Sequence, residues 1–190
     1  MRLREVAPAD LAPVLGEVIS HLRLGFGFAD DGAEDALLLR YLGSAISAIE
    51  AETGQALLTR EFLLRIGGWD GQGRLVLPIG PVTEIAAIRF VRGSEVVPVE
   101  PARWALMPGR SRQILSGPAG GPLPPVPRGA EIEVSFTAGH AENWADIPGE
   151  LQQAVLMLAG VYYEHRHGDA PSAMPPGVTA LIRPYRPMRI

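Results

Sequence analysis

Four histidines, at positions 21, 140, 165 and 167, are the side chains of this 190-residue chain best suited to proton transfer or metal binding. Two of them stand in Glu164-His165-Arg166-His167. On a helix, side chains two apart diverge by about 200°, so His165 and His167 do not readily share a metal. His140 would have to complete such a site through the fold, and a small metal-dependent hydrolase is the enzyme reading these residues permit. The structural reading of the pair is polar capping at a helix C-terminus, where the dipole favours it. Ser111, in Gly109-Arg110-Ser111-Arg112-Gln113, lacks the second glycine of a nucleophile elbow. Asp30, Asp31, Glu34 and Asp35 supply enough carboxylate for calcium but not the alternating order of a calcium loop. Their spacing suits the capped start of a helix instead. The glycines at 67, 68, 71 and 73 do not form G-x-G-x-x-G and read as turn residues.

Composition removes further chemistries. The 17 basic residues are all arginine, and there is no cysteine. A chain without lysine has no P-loop and no Schiff base. One without cysteine has no disulfide, no thiolate nucleophile and no thiolate zinc site. No cofactor and no metal are expected. Arg103, Trp104, Arg110 and Arg112 form the one internal basic cluster, which reads as a solvated loop more readily than as a phosphate contact. The segment MRLREVAPAD is charged before any apolar run develops, unlike a signal peptide. Leu151–Tyr163 is too short for a membrane span of about 18–20 residues.

Helices bracket the chain. Leu11, Leu15, Val18 and Leu22 repeat on one helical face, predicting a helix over about 9–22. Leu38, Leu42, Ala45 and Ile49 predict a second over about 33–53, ended by Gly54. Between about 57 and 138 the period changes, and short apolar runs bounded by Gly or Pro predict an antiparallel meander. Within it, residues 117–127 hold five prolines and three glycines. No helix or central strand can cross that stretch, which is either a surface loop or a partner contact.

A third helix is predicted over about 148–167. Leu151, Val155, Leu158 and Tyr162 mark one face, Leu156, Ala159 and Tyr163 another, and Met157 and Gly160 a third. A helix apolar on most of its circumference needs burial on most sides. Either it is central to a single core, or a neighbouring subunit covers Leu156, Met157 and Tyr163. Charge divides the chain unevenly. Residues 1–54 carry 4 Arg against 9 acids, 55–139 carry 9 against 7, and 140–182 carry 1 against 5. The last eight residues, RPYRPMRI, carry three arginines and no acid, with two prolines that favour an extended tail. Arg183, Tyr185, Arg186, Met188, Arg189 and Ile190 have the composition of interface anchors, though most chain ends fray.

The order of these blocks is more specific than any one of them. Leu22-Arg23, Asp30-Asp31 and Glu34-Asp35-Ala36-Leu37-Leu38 come first, then Ala45, Ile49-Glu50 and Thr53-Gly54-Gln55-Ala56-Leu57. Leu77-Pro78, Pro81-Val82, Val134-Ser135-Phe136-Thr137-Ala138-Gly139 and Ile147-Pro148 follow. Gln153-Ala154-Val155-Leu156 with Leu158, Tyr162-Tyr163-Glu164-His165-Arg166, and Pro176-Gly177-Val178 leading to Pro184-Tyr185-Arg186 close the series. In this order the chain resembles the head–tail connector (adaptor) family of tailed bacteriophages, prophages and gene transfer agents.

The resemblance implies an α+β fold: a helical bundle with an antiparallel β-sheet inserted between the second and third main helices. It implies one connector domain over residues 1–182 and an extended C-terminal tail over 183–190. It further implies a structural protein, not an enzyme, that self-associates in a twelve-membered ring in the neck of a particle assembled in the bacterial cytoplasm. The partners so implied are the portal protein, reached by Arg183, Tyr185, Arg186, Met188, Arg189 and Ile190, and a stopper or other tail-side protein. DNA would pass through the central channel without specific binding, and no membrane is involved. Another neck component, a stopper or tail-completion protein, is the alternative within the class. The 117–127 loop and the 140–147 connection depart from the family pattern.

Overall fold

The computed structural model describes residues 1–24, 33–109, 112–166 and 173–187. Residues 25–32, among them Asp30 and Asp31, and Arg110, Ser111, His167, Met188, Arg189 and Ile190 lie outside the described residues. The chain divides into two compact units, 1–8 with 58–142 and 187–190, and 9–57 with 143–186.

The first unit is built of antiparallel strands. The strands are β1 (Arg2–Glu5), β2 (Arg60–Ile66), β3 (Leu75–Val76), β4 (Val82–Arg92), β5 (Glu95–Pro98), β6 (Ala105–Met107), β7 (Ile114–Ser116) and β8 (Glu131–Ala138). One sheet has the order β1-β2-β8-β4-β5 and the other β3-β7-β6. The expected meander is therefore corrected: β1–β2, β4–β5 and β6–β7 pair as sequence neighbours, but β8 lies between β2 and β4, and β3 pairs with β7. The cause is visible in β8 itself. Its eight residues alternate, with Ile132, Val134, Phe136 and Ala138 buried on one face, and its backbone pairs with β2 along one edge and β4 along the other. In the three-stranded sheet the central place falls to β7, which pairs with β3 on one edge and β6 on the other. Phe62 on β2 stacks on Phe136, with ring centroids 5.6 Å apart. Strand β1 carries no apolar run and exists through its pairing with β2.

The Gly/Pro stretch at 117–127 is packed rather than loose. Leu123 is buried and its N–H donates to the Gly73 carbonyl. Trp69 Nε1 donates to the Pro124 carbonyl at 2.8 Å, and Arg74 to that of Gly120. A Cβ on Gly117 would stand 2.2 Å from the Pro122 oxygen, so the turn requires glycine there.

The second unit is helical. A 3₁₀ turn (Ala12–Val14) leads into α1 (Leu15–His21), followed by α2 (Ala33–Thr53), α3 (Gly149–Glu164) and α4 (Pro176–Ile182). Helix α3 packs on α1, α2 and α4. Leu38, Leu42, Ala45 and Ile49 of α2 are buried, as are Leu151, Ala154, Val155, Leu158 and Ala159 of α3. Gly54 adopts φ +66° after α2 and donates its N–H to the Glu50 carbonyl, the left-handed stop its position predicts. No described helix is long and apolar enough to cross a membrane.

The C-terminal tail does not become extended at residue 183. Arg183–Tyr185 form a 3₁₀ turn continuing α4, and extended backbone begins at Arg186. Proline at the second position of that turn is compatible with it, because an early helical N–H is unpaired in any case.

Candidate functional site

The C-terminal turn is held on the helical unit by three contacts. Arg186 Nη2 pairs with Glu52 Oε2 at 2.6 Å. Gln55 Nε2 donates to the Tyr185 carbonyl at 2.9 Å. The Tyr185 hydroxyl points at Glu150 Oε2, 3.4 Å away. Burial, and then the Glu150 carboxylate, push the Tyr185 pKa up. The end of α2 and the start of α3 thus grip two residues that composition alone assigns to a partner. Arg183 stays exposed. Glu50 braces the same region: its buried carboxylate accepts the Leu57 N–H at 2.8 Å.

The predicted packing residues of α3 are partly covered. Leu156, Met157 and Tyr163 are all half-buried. Met157 lies against α4, where a Cβ on Gly177 would stand 3.0 Å from its methyl carbon. Tyr163 donates to Glu34 Oε1 at 2.7 Å and meets the Tyr41 ring edge-on at 6.4 Å. The hydrogen bond to Glu34 leads the causes that push its pKa up. The Arg166 guanidinium lies 4.3 Å from the Tyr163 ring centroid. Tyr163 and Arg166, with Ile19, Leu24, Glu34, Asp35 and Leu38, line a concavity of about 400 Å³.

The histidines fall apart by role. His140 follows β8, and burial pushes its pKa down. His165 ends α3, its Nδ1 2.9 Å from the Val161 carbonyl. Among the described residues no group of three or more His, Asp or Glu side chains could hold a metal. Arg103 sits exposed in a 3₁₀ turn, while Trp104 and Arg112 are half-buried.

A second charged surface escaped the sequence reading. Arg2 pairs across the strands with Arg65, and Arg4 with Leu63, so all four share one face of the five-stranded sheet. They line a concavity of about 160 Å³. Arg65 forms an ion pair with Glu133, and Glu133 lies opposite Arg89 of β4. The only sequence signal was the alternation of arginine in RLRE, legible only once that segment is known to be a strand. The two units also differ in sign. The strand unit carries 12 Arg against 9 acids, and the helical unit 5 against 12.

Three solved structures are similar to the chain over its whole length. The neck of an empty gene transfer agent (GTA) particle, computed with C6 symmetry, holds a chain 44% identical, with 100% of this chain and 97% of that one covered and a TM-score of 0.87. The virion of a native GTA particle holds one at 44% identity with the same coverage and a TM-score of 0.85. The neck of a native GTA particle computed with C12 symmetry gives 40%, again 100% and 97%, and 0.82. No protein-family model and no curated protein sequence matches the chain.

Proposed function

We infer the function of this chain from its family: it belongs to the head–tail connector (adaptor) proteins found in the necks of gene transfer agent particles. It is a structural component of such a neck. Within that place, it acts as the adaptor, forming a ring that joins the portal protein to a stopper or other tail-side protein and leaves a channel for DNA. The observation that carries this reading is the match of 44% identity along the entire chain to a particle neck. The C12 symmetry of a similar neck supports a ring of twelve. The helical bundle with its inserted sheet is the scaffold this reading assigns to one connector domain.

The C-terminal residues meet the portal in this account, with a division of labour among them. Tyr185 and Arg186 fasten the turn through Glu150, Gln55 and Glu52, while Arg183 and the residues beyond Pro187 make the contact. Arg suits both duties, since its planar fork orients a carboxylate partner. Two variants test this. A chain ending at Arg186 keeps the fastening and should fold normally but fail to attach to portal-bearing heads. Arg186→Glu should weaken attachment, and adding Glu52→Arg should restore it. Normal attachment by the shortened chain would contradict the portal role. Failure of the charge swap to rescue would make Arg186 itself a portal contact.

A further inference from the structure

Resting on the ring reading above, we propose that the arginine corner of the five-stranded sheet docks into the acidic groove of the helical unit on a second copy of this chain. The corner comprises Arg2, Arg4 and Arg65 around Leu63. Its like charges lie side by side across β1 and β2, an arrangement that repels itself unless an anion intervenes. Glu133 answers Arg65, but Arg2 and Arg4 extend into solvent on a strand at the sheet edge. The groove offers the complement. Glu34 and Asp35 outnumber the one lining cation, Arg166, while Ile19, Leu24 and Leu38 supply apolar surface for arginine stems, and Tyr163 supplies an aromatic face. That face already holds one guanidinium, from Arg166.

Symmetry gives the reason for two unlike surfaces. A ring closes through heterologous contacts, each subunit presenting one patch to the subunit before and a different patch to the one after. A chain whose strand unit is net positive and whose helical unit is net negative carries such a pair. Charge complementarity of this kind fixes the register and direction of docking. Nucleic acid fits the corner less well. Glu61, Glu84, Glu131 and Glu133 share the same sheet face by register and would repel a phosphate backbone. A face of mixed sign suits a protein surface of mixed sign.

The test is assembly, read by native mass spectrometry of the full chain in solution and by sedimentation with portal-bearing heads. The wild type should assemble in at least one setting, and less so as salt rises. R2E/R4E should lose the oligomer, D35R should lose it too, and the combined R2E/R4E/D35R chain should regain it. Melting curves check that each variant folds. R2Q/R4Q, which leaves the backbone pairing of β1 intact, should give a weaker form of the same loss. Wild-type assembly by R2E/R4E would overturn the proposal, as would failure of the combined chain to recover. A labelled DNA duplex that binds wild type but not an assembling R2E/R4E would assign the corner to DNA and also overturn it. A wild type that never self-associates, alone or on heads, would instead defeat the ring reading beneath it.

Discussion

Burial disfavours the charged imidazolium of His140, so its folded-state pKa lies below the ordinary value near 6.5. The sign of its effect follows. Its contribution to stability is present above about pH 6.5 and is lost as pH falls from there toward the folded pKa, because the unfolded chain takes up the proton first. Denaturant melts at pH 7.5 and 5.5 should show a smaller acid loss in His140→Asn than in the wild type. An equal loss in both would refute this role. In the sequence, His140 was a candidate metal ligand, and nothing local to it announced burial. Glu50 shows the same limit. Nothing beside it in the sequence marks it as buried, yet it accepts a backbone N–H from Leu57, after the chain has turned at Gly54. Gly54 itself was legible, because the need for a left-handed stop arises from the adjacent residues alone.

Elements were legible where periodicity is local and illegible where pairing is distant. The helix over 33–53 has the ends that spacing and Gly54 predicted. Strand order was hidden, since β2 and β8 are separated by residues 67–130 and no residue in either names its partner. Strand β1 was missed for the same reason. The central place of β8 makes its core side chains the most sensitive in the sheet. Phe136→Ala removes a fully buried ring stacked on Phe62 and should cost about 3–5 kcal/mol in chemical denaturation. Glu131→Gln, on the exposed face of the same strand, should stay within about 0.5 kcal/mol of wild type. The tail was half legible. Its arginines and tyrosine stood out, but their internal partners at 52, 55 and 150 came only with the packing of α2 and α3.

At the scale of the molecule, net charge of -4 conceals two units of opposite sign; the acidic flanks and positive middle block were legible in the sequence, and the fold adds residues 1–8 to the positive unit. The family was legible in the order of its motifs, and the whole-chain likeness to particle necks supports it. The portal, the ring and the channel belong to the proposed function, and they stand or fall together on attachment. Mixing the purified full-length chain with tail-less heads that carry or lack a portal, and sedimenting the heads, measures it. The account predicts saturable binding at one ring per portal-bearing head and none to heads without a portal. Equal binding to both kinds of head, or binding to neither, would contradict it.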